Sequence, residues 1–294
     1  MNSFKLASAV ILAGAVTFTS CKKNNNVIND NPELNTAVSV AQNDAKTSQQ
    51  FNDVFGIAMG ANSSDGAWTG IGTGAGIIYK PGGELSTLGA QCFTVDVVPK
   101  DLTTWPKTVT IDFGTTGCQG TDGKVRKGKI IAVFSSPVYQ QGATLSITLD
   151  GYSSDSFAIA GNLTVTNTGT SDHIGFKEEI SGGQLTNTNT GFWYKYDGTR
   201  TETQIAGMST PIDFSDDAYQ ITGNGSGSTS ANFTWAGEIT TPLIWKLNCR
   251  WPGQGIFTFH WNQNTDAATL NYGDGSCDNK ATVSYKGFSK DITL

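Results

Sequence analysis

From residue 91 to residue 294, apolar and polar side chains alternate in short runs that are broken at regular intervals by turn dipeptides. The clearest run is Leu243–Trp251. Leu243, Trp245, Leu247, Cys249 and Trp251 fall on one face, and Ile244, Lys246, Asn248 and Arg250 on the other. Alternation with period two is the mark of a half-buried strand. The same pattern predicts strands over 91–98, 107–113, 126–134, 143–150, 156–166, 173–180, 190–196, 200–206, 218–223, 229–240, 243–250, 255–261, 267–272, 280–285 and 288–293. Turn signals stand between many of them: Asp122-Gly123, Asp150-Gly151, Asp197-Gly198, Pro252-Gly253 and Asp274-Gly275. No helical period interrupts the run. Closely spaced strands joined this way predict antiparallel hairpins and meanders, not parallel βαβ units.

Upstream the period changes. Leu34, Val38, Ala41, Ala45, Ser48, Asn52, Phe55 and Met59 recur at spacings of three and four, and Phe51, Val54 and Ala58 widen the stripe toward its end. Pro32 and Glu33 open this stretch, and Gly56 and Gly60 mark its fraying. A helix over 33–58 follows, roughly 40 Å long. Its stripe is only moderately apolar, and no second helix candidate of this length exists to bundle with it, so it is expected to lie on the sheet. The glycine-dense stretch 61–83 reads as loop. It lacks the Gly-Lys-Ser/Thr ending of a phosphate loop and the strand–turn–helix setting, which argues against nucleotide binding. The fold expected is all-β: a large twisted antiparallel meander, curled or barrel-like, with one long N-terminal helix. A two-sheet β-sandwich is the alternative. Residues 33–294 read as one β-rich domain, because no proline-rich or charged linker divides them.

Two eight-residue phrases match. Ile111–Cys118 reads IDFGTTGC and Leu270–Cys277 reads LNYGDGSC. Each closes a predicted strand and delivers a cysteine five residues beyond the aromatic. Cys92 precedes the first by a two-strand span, and Cys249 precedes the second by another. Four cysteines allow three connectivities, and the repeat selects Cys92–Cys118 with Cys249–Cys277, each bond clamping the open end of a hairpin. No Cys-x-x-Cys spacing and only two histidines occur, so neither a zinc site nor a redox motif is expected.

Composition adds an address. Charged residues are 15% of the chain, against about 25% in an ordinary domain. Arginine occurs three times, at Arg126, Arg200 and Arg250, and the net charge is −6. No basic stripe exists to neutralise phosphates, which excludes nucleic acid as a natural partner. Residues 1–20 form an export signal: Lys5 supplies the positive region, and Leu6–Val16 is an apolar run too short to span a bilayer. Phe18-Thr19-Ser20-Cys21, followed by Lys22, Lys23 and Asn24–Asn26, resembles the lipidation site and tether of Bacteroidota-type envelope lipoproteins. The resemblance implies lipid on Cys21, a flexible tether over 21–32 and anchoring at the bacterial outer membrane. Ordinary cleavage near residue 20 is the alternative. In that group, surface display goes with acidic residues just after the cysteine. Here the first acid is Asp30, which leaves the periplasmic face and the cell surface both open.

Candidate chemistry is sparse. A glycosidase needs two carboxylates on one cleft. Glu178 and Glu179 are adjacent on a strand and must face opposite ways, and Asp216 and Asp217 read as a solvated turn. His173 and His260 belong to no triad, and no serine sits in a nucleophile elbow. Asp274 and Asp278 lack the closing glutamate of a calcium loop. Aromatic residues are plentiful, and Trp193 beside Tyr194 puts one ring outward if the other faces the core; this pair is the expected ligand surface. The sequence therefore predicts a non-catalytic envelope lipoprotein, without cofactor or metal, that binds a glycan, a lipid or an envelope protein. The alternative is a hydrolase acting on an envelope or dietary polysaccharide.

Overall fold

The computed structural model describes residues 31–60 and 92–294, apart from 102, 121, 139, 171–172 and 211–215. The export signal, Cys21 with most of its tether, and the glycine-dense stretch 61–83 lie outside the described residues. One helix, α1 (Pro32–Gly60), precedes β1 (Thr94–Val98), β2 (Lys107–Asp112), β3 (Cys118–Gln119), β4 (Val125–Phe134), β5 (Thr144–Ser154), β6 (Phe157–Asn167) and β7 (Gly175–Asn187). There follow β8 (Trp193–Ala206), β9 (Ala218–Thr229), β10 (Thr234–Lys246), β11 (Gln254–Trp261), β12 (Ala268–Asp274), β13 (Lys280–Tyr285) and β14 (Phe288–Thr293).

All the strands belong to one antiparallel sheet in sequence order, with the short β3 pairing only β4. The meander is therefore as expected, and the sandwich alternative is not the fold. Nor, among the described residues, does the sheet close into a barrel: β1 and β14 are its two edges. Several strands run longer than their pattern indicates. Asp150-Gly151 and Asp197-Gly198 do not turn the chain; they lie inside β5 and β8. The pairing slips at these places instead. The β4–β5 register shifts between Lys127 and Lys129, around Gly128, whose φ is +75°. A Cβ there would lie 2.3 Å from the Gly151 carbonyl oxygen, so only glycine permits this bulge. Further shifts fall at Ala160/Asn162 and Ile180/Gly183. Bulges bend and twist the strands that carry them, and their recurrence curls the sheet.

The helix sits within that curl. Its start follows from local chemistry: the Asn31 side chain accepts from the Glu33 and Leu34 N–H groups at 3.0 and 3.3 Å, and Pro32 takes the first helical position. It then meets strands from both halves of the sheet, β4, β6 and β8 on one side and β13 and β14 on the other. Leu34, Val38, Ala41, Ala45, Phe55 and Met59 are buried, as their spacing predicts. So are Ser48, a member of that stripe, and Asp44, Thr47, Gln50 and Asp53, which lie off it and which a helix resting on a flat sheet would show to water. Phe55 meets Phe176 edge-on at 5.9 Å. The inner face of the sheet carries a chain of ring contacts from Tyr194 and Tyr196 through Trp235, Phe257, Phe259 and Trp261 to Tyr285, with centroids 4.8–6.2 Å apart. Each such pair contributes roughly 0.5–1.5 kcal/mol beyond burial.

The repeated phrase is a structural corner used twice. Asp112 Oδ1 accepts from the Gly114 N–H at 2.8 Å, and Asn271 Oδ1 accepts from the Gly273 N–H at 2.9 Å. The Asp or Asn folds the backbone onto its own side chain, and the glycine whose N–H donates to it has positive φ in both copies. Phe113 and Tyr272 are buried beside these turns. The chain then reaches the two disulfides, Cys92–Cys118 and Cys249–Cys277, each with Cα atoms 5.3 Å apart. The bonds lie just beyond the open ends of the β1–β2 and β11–β12 hairpins.

Candidate functional site

The predicted strand 243–250 stops early. β10 ends at Lys246, and residues 247–252 form a corner. The Cys249 N–H turns back to the Lys246 carbonyl at 2.9 Å, and the Trp245 indole N–H donates to the Cys249 carbonyl at 2.7 Å. The disulfide to Cys277 fixes the corner from outside. Inward alternation nevertheless persists, with Leu247, Cys249 and Trp251 buried. With α1, this corner encloses a cavity of about 380 Å³.

Its walls mix rings with strong hydrogen-bonding groups. Trp245, Trp251 and Tyr272 present aromatic surface, Gln49, Asn52 and Asn248 present amides, and Lys124, Arg200 and Arg250 present cations. Asp53 and Asp122 add carboxylates, and Ala45, Ile221, Leu247 and Pro252 add apolar surface. The three arginines of the chain are drawn to this region. Arg126 binds Asp122 through two parallel contacts at 3.1 and 2.6 Å. Arg200 approaches Asp44 at 3.5 Å from β8. With the Gln49 amide on α1 oriented so that its oxygen faces the guanidinium, Arg250 on the corner donates to it from Nε and Nη2 at 2.7 and 2.8 Å. Lys124 forms a close ion pair with Asp53. Such forks hold planar groups in fixed orientation.

Burial splits the acids. It pushes Asp44 up to about 6, against the opposing pull of Arg200. Asp53 is likewise raised by burial, more than Lys124 lowers it. Partial burial also pushes on Asp122, but the Arg126 guanidinium and the Lys124 N–H hold that carboxyl below its usual range. Asp44 Oδ1 has no hydrogen-bond partner among the described residues.

Cys249 lines this cavity, but the ligand, acid and histidine candidates singled out from sequence fall elsewhere. Tyr194 is 3% exposed and stacks on Trp235, so it belongs to the interior and not to an open ligand surface. Trp193, its neighbour, points to the outer face under the Lys195 ammonium, 5.1 Å away, and lines neither this cavity nor the one described below. Period-two alternation forces that split. Glu178 faces inward and Glu179 outward, the latter paired with Lys177 at 2.8 Å. Asp217 is buried and accepts from Gln204 at 3.0 Å, whereas Asp216 is exposed. His260 lies on the outer face. Asp274 accepts from the Ser276 N–H and hydroxyl, closing a turn. Sequence reasoning missed the cavity because its residues come from segments far apart in the chain. One signal was present: polar residues at buried positions of α1, in a chain with few charges and three arginines. Compared with protein-family models, with curated proteins and with solved structures, the chain matches none.

Proposed function

We propose that the protein is an exported, lipid-anchored binding protein of the bacterial envelope, and that it takes a glycan in the cavity between α1 and the 247–252 corner. The observation that carries this reading is the composition of the cavity wall. A sugar offers apolar C–H faces and a dense set of hydroxyls. Trp245, Trp251 and Tyr272 suit the first, while Gln49, Asn52, Asn248 and Arg200 suit the second. A lipid chain would want a wall without charges, since each polar group it covered unpaired would cost about 1–3 kcal/mol. The anchor at Cys21 rests on the sequence of the export signal.

The test is a glycan array followed by calorimetry on each hit, with wild type, Trp251→Ala and Asn52→Ala. Binding that falls at least about tenfold in both variants, or ~1.4 kcal/mol, supports the site. Binding unchanged in both places the ligand elsewhere. For the anchor, labelled palmitate should enter wild type and not Cys21→Ser; an unlabelled, soluble wild type refutes it.

One observation favours hydrolysis as a second reading. Asp53 and Asp122 share the cavity wall, and their surroundings push their proton affinities apart, as an acid–base pair requires. Release of reducing sugar from a bound polysaccharide, abolished by Asp53→Asn, would establish it.

A further inference from the structure

A second cavity, of about 770 Å³, opens beside the first. Gln49, Arg250 and Trp251 line both. These three side chains are therefore a shared sill between two compartments, and the Arg250–Gln49 fork holds the sill in place by tying the corner to the helix. Beyond it the wall continues along α1 through Gln42, Asn43 and Lys46, faced by Asp278 and Asn279 from the disulfide corner. Helical residues from Gln42 to Asp53 thus border one groove, which at 1.5 Å per residue is about 16 Å long.

We propose that the natural ligand is an oligosaccharide that occupies both compartments and crosses Trp251. This rests on the glycan reading above and adds the length of the ligand. Three features support it. The groove is long enough for several linked sugar rings, and a single ring would leave most of it to water. Both compartments carry amide side chains that can donate and accept, Asn52 and Asn248 in the first, Asn43 and Asn279 in the second. The wall of the second compartment also holds more amides than charged side chains, Gln42, Asn43, Gln49 and Asn279 against Lys46, Arg250 and Asp278, which suits an uncharged polyhydroxyl chain.

The experiment uses the full chain on an array that prints monosaccharides beside linear oligosaccharides of the same sugar and linkage, with calorimetry on each positive series. Affinity is expected to climb with chain length and then level off, the gain over the monosaccharide being on the order of tenfold or more. Two variants fill the second compartment from opposite walls, Asn43→Trp on the helix and Asn279→Trp on the corner. Each should reduce oligosaccharide affinity to that of the monosaccharide and leave monosaccharide affinity intact, which also shows that the variant is folded. Equal affinity for mono- and oligosaccharide overturns the two-compartment proposal while leaving the glycan site standing. Length dependence that survives both variants also overturns it, because the extra rings would then lie outside the second compartment. No binding to any printed glycan overturns the glycan reading and this proposal together.

Discussion

Asp44 is expected to make the protein less stable as pH rises toward neutrality. Its carboxyl is 1% exposed on a helix enclosed by the sheet, and burial lifts it from 3.8 to about 6 in the folded chain. The unfolded chain keeps the ordinary value. Between those two values the folded state binds more protons than the unfolded state, so unfolding becomes easier with increasing pH. The contribution is fully present below about 3.8 and is lost as pH passes through about 6. A shift of this size, at 1.36 kcal/mol per unit, corresponds to about 3 kcal/mol. Urea unfolding of wild type and Asp44→Asn, with disulfides intact, isolates it from about pH 3 to about pH 8. The variant cannot titrate at this position, so it should gain about 3 kcal/mol relative to wild type over that range. Asp53 shifts in the same direction but is present in both proteins and cancels in the difference. A difference that stays constant with pH would refute a raised Asp44. A variant that instead loses ground as pH rises would show that the Arg200 pair outweighs burial.

Two further outcomes follow from the corners and the bulges. Peptide mapping without reductant should return Cys92–Cys118 and Cys249–Cys277, and replacing Cys249 and Cys277 together by serine should cost about 3–4 kcal/mol by loop entropy, with glycan affinity falling as the corner loosens; a bond between Cys118 and Cys277 would refute the pairing. Gly128→Ala should destabilise by about 2–4 kcal/mol in urea, because its Cβ meets the Gly151 carbonyl at 2.3 Å; a neutral result would mean that the β4–β5 bulge relaxes freely.

The sequence alone determined the local elements. Alternation of apolar and polar residues is set within each strand, so the meander, the opposite facing of Trp193 and Tyr194 and the opposed directions of Glu178 and Glu179 were all legible, but not which ring of the aromatic pair turns inward. The spacing of α1 and its opening at Pro32 were legible too, and the repeated Asp/Asn-aromatic-Gly phrase carried its own corner, down to the matching side-chain turns at Gly114 and Gly273. Even the disulfide pairing followed, because each bond closes a hairpin that its own neighbourhood defines. What the tertiary structure decided depends on partners remote in the chain. Asp150-Gly151 and Asp197-Gly198 read as turns in isolation, yet neighbouring strands hold them in bulges. Those bulges curl the sheet, and the curl encloses the polar side of α1. A buried Asp44 or Asp53 is unfavourable on its own and acceptable only where Arg200 or Lys124 arrives from another part of the sheet. The cavity has the same origin: its rings, amides and cations come from the helix, the approach to β4, the middle of the sheet and the disulfide corner, and only the curl brings them to one place.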